Sequence, residues 1–159
     1  MLRPLQKSDV KRLLQLWFHL ACTSHPSLPL DFWREQQEAV RRELVGALGR
    51  PGKKGNPAGE PLTHWVYTLP GSQAAEGLVT VSKEGQVRSI FVSPAAQRQG
   101  IGSALIAQAK FGKAQLEAAV LEENLGGRYF LQQHGFVETS RRFCAAANQE
   151  EVVMCCRVA

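Results

Sequence analysis

Gln97, Arg98 and Gln99 lead into two glycines, Gly100 and Gly102, which open a run where Ile101, Ala104, Leu105 and Ala109 recur at helical spacing. A helix start leaves backbone N–H groups without partners at its positive end. Glycine, lacking a Cβ, lets an anion come close to those groups. The pattern predicts a phosphate cradle, with a pyrophosphate held by successive amides. A Walker A loop is excluded, because Ser103 and Ala104 follow Gly102 where Lys and Ser or Thr are needed. A dinucleotide fingerprint needs three glycines and an acidic residue about twenty positions further on, and neither is met convincingly.

A cradle of this kind must be delivered by a strand and followed by a helix. Val87 to Val92 reads as that strand, turning at Ser93 and Pro94, and the helix is expected from about Gln99. Upstream, Val10, Leu13, Leu14, Trp17, Leu20 and Ala21 share one face of a helix from about Asp9 to Ala21, with Ser8 placed to cap it. A second helix begins near Asp31 and carries Trp33, Val40 and Leu44. Gly46 to Leu62, with its glycines, prolines, Lys53 and Lys54, reads as a flexible loop. Strands follow at His64 to Leu69 and Glu76 to Ser82, separated by a turn at Pro70-Gly71-Ser72. After the cradle helix come a strand from Ala114 to Leu121, a helix ending at His134, and strands from Phe136 and Val152. This order predicts an α/β (α+β) fold: a mixed, mostly antiparallel sheet, helices on both faces, and one parallel pair where the cradle helix crosses over.

These stretches resemble the GNAT acetyltransferase superfamily in its small, single-domain bacterial form. Gln97 to Gly102 is similar to that family's signature of Gln or Arg, any, any, Gly, any, Gly or Ala. Ser89 to Pro94 looks like its fourth strand, and Asn124 with Gly135-Phe136 resembles its second motif. Leu2 to Leu5, Ser8-Asp9 and Leu13 to Trp17 look like its first strand and helix. The resemblance implies a single N-acetyltransferase domain over residues 1–159, with six to seven strands splayed between the fourth and fifth. It implies acetyl-CoA as co-substrate, bound in the splay by Phe91, Val92, Gln97, Arg98, Gln99, Gly100, Ile101, Gly102, Ser103 and Asn124. It also implies transfer of the acetyl group to a primary amine of a protein, peptide or small molecule, by direct attack in a ternary complex. His25, Phe32 and Trp33 are the candidate acceptor walls.

An alkylamine with a pKa of about 10 arrives protonated, so the reaction calls for a base. Glu123 and His64 are candidates, with Glu76 and Glu84 as alternatives. The resemblance implies a tyrosine, four residues before the glycine of Gly135-Phe136, to protonate the departing thiolate, but Leu131 stands there. Tyr129 is the remaining candidate, about 200° away around a helix of 3.6 residues per turn. Some protein-acetylating relatives carry a glutamate five residues before the motif asparagine, where this chain has Ala119, with Glu117 and Glu123 on the same strand face. These departures keep open a second reading, a noncatalytic acyl-CoA sensor or partner subunit.

Composition bounds both readings. A chain of 159 residues, 44% hydrophobic and 21% charged, is expected to fold as one domain. No apolar run approaches the roughly 18 residues that span a bilayer, and the N-terminus has no continuous apolar signal core, so no membrane partner and a cytoplasmic location are expected. Cys22, Cys144, Cys155 and Cys156 form no plausible disulfide framework. His19, Cys22 and His25 lack a fourth ligand, so no metal is expected. The net charge of +5 is spread along the chain rather than clustered with aromatics, which disfavours nucleic acid and suits a ligand carrying several phosphates.

Overall fold

Alternating apolar positions in Leu62–Tyr67 and the unbroken run Gly77–Ser82 build the centre of a seven-stranded sheet in the computed structural model, which describes residues 1–48 and 61–158. Strands β1 (Leu2–Pro4), β2 (Leu62–Tyr67), β3 (Gly77–Ser82), β4 (Gln86–Val92), β5 (Gln115–Leu121), β6 (Val137–Cys144) and β7 (Gln149–Arg157) lie in the order β1-β2-β3-β4-β5-β7-β6. Neighbours are antiparallel except for the parallel pair β4 and β5. Helices α1 (Val10–Ser24) and α2 (Leu30–Ala47) cover one face, and α3 (Ile101–Lys110) and α4 (Leu125–Gln133) the other. β3 is buried along its whole length because both faces are covered over it. Leu13, Leu14, Leu44, Val66 and Leu78 form the core under α1 and α2, while Val79, Val81, Ile101, Leu105, Leu131 and Met154 form the larger core under α3 and α4.

The feature that positions the site is a misfit in this sheet. Thr80 pairs with Ser89 but Val81 pairs with Val87, so Arg88 is an extra residue in β4. Such a bulge increases local twist and re-aims the chain beyond it. Ile90 and Val92 accordingly join Val87 on the α3 side, and Phe91 packs on the α1 and α2 side. Pairing between β4 and β5 is confined to Gln86 with Glu117 and Val87 with Ala118. From there the strands part, and the edge of Ser89 to Val92 that would face β5 has no ladder partner among the described residues.

Several boundaries differ from expectation. Asp9, not Ser8, stands at the cap position of α1. It is buried, accepts from the Gln6 amide at 2.8 Å, and receives Arg3 Nη1 and Nη2 at 2.7 and 2.8 Å. The fork–fork ion pair and the amide bond hold its carboxylate below its usual pKa, against the burial that raises it. α1 continues to Ser24, and β7 begins at Gln149, earlier than Val152. Of the expected Gly46 to Leu62 loop, Gly46 and Ala47 belong to α2 and Leu62 opens β2, while residues 49–60 lie outside those described. Among the described residues no helix is long and apolar enough to cross a membrane, and no group of three or more His, Cys, Asp or Glu is placed to hold a metal. The four cysteines are unpaired.

Candidate active site

After β4 the chain makes a 3-10 turn, Pro94–Ala96, and reaches α3 through Gln97 to Gly100. Arg98 has φ +64° and Gly100 has φ +76°, so left-handed residues recur in the approach to the helix. Alternation of this kind turns successive amides to one side, as an anion cradle requires. A Cβ built at Gly100 meets nothing within 4 Å, so the backbone angle, not crowding, calls for glycine, and the space before the α3 amides is open. Gly102 serves another purpose. A Cβ there would lie 2.6 Å from Phe130 Cε1, so this glycine lets α4 approach α3.

A cavity of about 710 Å³ occupies the parting of β4 and β5 and reaches both faces of the sheet. On the α3 and α4 side its walls include Gly100, Ser103, Phe130 and His134, and on the α1 and α2 side Trp17, Leu20, His25 and Trp33. All the expected cofactor residues except Gln99 line it. Gln97 Nε2 donates to the Val92 carbonyl at 3.3 Å, closing the loop onto the end of β4. Asn124 caps α4, its Oδ1 accepting from the Gly127 amide at 2.9 Å. Arg88 and Arg98 are in the lining, and no Asp or Glu is among the described lining residues. Arg88 is paired with Glu43 at 2.7 Å. A concave, carboxylate-free space at a helix N-terminus suits a polyanion such as a pyrophosphate.

The expected catalytic residues are not gathered there. His64 lies outside the cavity, buried under α2, with Nδ1 2.7 Å from Thr80 Oγ1 and Nε2 without a partner. Burial pushes its pKa down to about 4. Glu123 does not line the cavity, and its Oε1 is buried without a partner, while its amide donates to Gln149 Oε1 at 3.1 Å. Tyr129 does line it, 63% exposed, its hydroxyl accepting from Gln133 Nε2 at 3.0 Å. Leu131, 2% exposed, is turned into the core, as an angle of about 200° from Tyr129 requires. Glu84 lies at the exposed turn between β3 and β4, and Glu76 is bound by Arg12 and by Ser93 Oγ, the latter at 2.6 Å, anchoring the end of β4 to α1.

His25 and Trp33 form part of the wall, whereas Phe32 stands behind it, edge-on to Trp33 at 4.8 Å. Trp17, Leu20, Ser24, Ser89, Phe130 and His134 also line the cavity and escaped sequence reasoning. The signal for the first three was present, since Trp17, Leu20, Ala21 and Ser24 follow helical spacing. That stripe continues past the core into the cavity, and periodicity does not mark where one becomes the other.

The family described as an acetyltransferase (GNAT) domain matches residues 60–138, the segment holding the cradle, the parting and Asn124. A peptidyl-lysine N-acetyltransferase of Escherichia coli (strain K12), YiaC, is 26% identical over 136 residues, covering 86% of this chain and 82% of that protein. Among solved structures, apo YjaB of Escherichia coli superposes with a TM-score of 0.77 at 19% identity, over 98% of this chain and 95% of its own. The PaiA N-acetyltransferase of Thermoplasma acidophilum, solved with coenzyme A, gives 0.72 at 14% identity, over 99% and 98%. The fold is that of an acyl-group transferase. The chain belongs to the GNAT superfamily of N-acetyltransferases, enzymes that draw their acetyl group from acetyl-CoA.

Proposed function

We propose that this protein, acting as one N-acetyltransferase domain, transfers an acetyl group from acetyl-CoA to a primary amine by direct attack while both are bound. The observation that carries this reading is the cavity through the β4–β5 parting, with the cradle at one end and the aromatic wall of Trp17, His25 and Trp33 at the other. Two reactants entering from opposite faces meet at the unpaired edge of Ser89 to Val92, whose amides are available to a thioester carbonyl. The cradle supports coenzyme A binding, since Arg98, Gly100 and the first α3 amides offer an open, positive site to its pyrophosphate. A lysine side chain is the acceptor we favour. The activity of YiaC supports it, as does an apolar wall that accommodates a methylene stem.

The four unpaired thiols support work in a reducing compartment, in line with the cytoplasm. Thiol release from acetyl-CoA with lysine peptides, polyamines and aminoglycosides tests the function. Release with peptides above the background without acceptor is the expected outcome. The buried Leu131, with no hydroxyl to offer a departing thiolate, favours the second reading of an acyl-CoA sensor. Tight coenzyme A binding with no release across the panel would decide for that reading.

A further inference from the structure

In the proposed reaction, removal of a proton from the acceptor ammonium has no owner. Neither Glu123 nor His64 reaches the cavity, and no described lining residue is a carboxylate. Apart from arginines, the titratable lining groups are Tyr129, His134 and His25. The Tyr129 hydroxyl is engaged by Gln133. His134 closes α4 against Phe130 at 4.6 Å, on the cradle side, where burial and then Lys110 lower its pKa. His25 alone stands on the α1 and α2 side.

His25 Nδ1 lies 2.7 Å from the Ala21 carbonyl. A carbonyl oxygen only accepts, so Nδ1 carries the hydrogen and Nε2 keeps its lone pair in the neutral ring. The buried side-chain nitrogens without partners, among the described residues, are Arg3 Nε, Trp33 Nε1 and His64 Nε2. His25 lines the cavity, and its one hydrogen bond among the described residues is at Nδ1, so Nε2 is left without a partner in the cavity wall. The ring lies against Trp33 with centroids 4.5 Å apart, which holds its plane. The loop beyond it is tied to the β5 and β7 side of the sheet, with Gln149 Nε2 donating to Ser27 Oγ at 3.4 Å while Gln149 Oε1 accepts from the Glu123 amide beside Asn124.

We propose that His25 is the general base, its Nε2 taking a proton from a primary alkylammonium directly or through one water. The freed nitrogen attacks the thioester carbonyl, so that a C–N bond forms as the C–S bond breaks. The nitrogen's second proton ends on the thiolate sulfur, and the proton on His25 passes to solvent. With no carboxylate in its described lining, the cavity also favours the neutral amine that attacks. The competing carboxylates, Glu117 and Glu151, line an adjoining cavity of about 260 Å³ that shares Val87, Arg88, Ala118 and Ala119 with the first, and there Arg142 Nε holds Glu151 Oε1 at 2.5 Å.

This assignment rests on the proposed acetyl transfer, and the test separates the two. Thiol release is measured with a lysine peptide and with a hydrazide, whose nitrogen is unprotonated at neutral pH. His25→Gln keeps a donor for the Ala21 carbonyl and removes the base. It should lower the lysine-peptide rate by about 100-fold or more, leave the hydrazide rate within about threefold, and leave coenzyme A binding by calorimetry unchanged. Equal losses on both acceptors, a lysine-peptide rate within about threefold of wild type, or loss in Glu117→Gln without loss in His25→Gln overturns it. A wild-type protein that releases no thiol with either acceptor overturns the acetyl-transfer reading, and this assignment with it. If His25→Gln fails to bind coenzyme A, His25→Ala assayed with imidazole decides, since restored turnover upholds the base and unrestored turnover overturns it.

Discussion

The two glycines of the cradle are alike in sequence and opposite in physics. Gly100 is needed for its φ of +76°, with open space around it, and Gly102 for the nearness of Phe130. Gly100→Ala should therefore weaken coenzyme A binding by about tenfold, with a stability loss of about 1 kcal/mol. Gly102→Ala should cost roughly 1–3 kcal/mol in thermal unfolding through overpacking, and Phe130→Leu in the same chain should recover part of it. Binding isotherms and melting curves on the two variants check the contrast. His64 carries a different prediction. Its pKa falls from 6.5 to about 4 on folding because the charged ring is desolvated. Between those pH values the unfolded chain binds more protons, so stability drops as pH falls from about 6.5 towards 4, by roughly 3 kcal/mol, and this group contributes nothing above that window. Denaturant titrations across pH should show that slope in the wild type and lose it in His64→Leu.

At the scale of elements, each side of the parting between β4 and β5 has its own tie to the α1 and α2 layer. Where β4 ends and leads into the cradle, Arg12 of α1 bonds Glu76 and also donates through Nε to the Ala75 carbonyl at 2.7 Å. Ser93 completes the tie through its hydroxyl to Glu76 and its amide to the Glu76 carbonyl, the latter at 2.7 Å. Glu76 is buried and Arg12 half-exposed, so the ion pair is screened on one side and the hydrogen bonds matter more. Glu76→Ala should cost about 1–3 kcal/mol and raise the dissociation constant for coenzyme A several-fold, because the end of β4 that carries the cradle is released. An unchanged dissociation constant in a destabilised variant would show that the tie serves the fold alone. On the side of the aromatic wall, Gln149 of β7 joins Ser27 of the α1–α2 loop to the Glu123 amide in the turn after β5.

For the molecule as a whole, an excess of +5 is combined with a cavity lined by arginines and no described carboxylate. Exposed charges of this kind steer a polyanion and are screened by salt over about 8–10 Å. Coenzyme A affinity should fall by roughly tenfold between about 0.05 and 0.5 M monovalent salt, whereas a charge-poor pantetheine fragment should bind with little change. The β6 edge of the sheet, exposed along most of its length, bears Glu138, Arg141 and Arg142 in ion pairs, a charged rim that discourages strand addition by another chain.

What the sequence determined by itself is local: the helical stripe of α1, the run that buries β3, and a glycine-bearing helix start whose amides must face an anion. These follow from periodicity and backbone freedom over a few neighbouring residues. Leu131 and Ala119 likewise announced from sequence that the family's usual acid and base positions are vacant. Only the tertiary structure decided which polar groups share a space. His64 and Glu123 read as bases from their residue type, but His64 is buried away from the cavity and Glu123, in the turn after β5, does not line it, and no local pattern encodes either placement. The bulge at Arg88 was equally hidden, because it exists only in register with β3, and it is what brings Ile90 and Val92 to the face of Val87. His25 read as a wall. Its tautomer is fixed by a carbonyl four residues back and its ring is packed against Trp33 of the next helix, so what its free nitrogen can reach is a property of the fold.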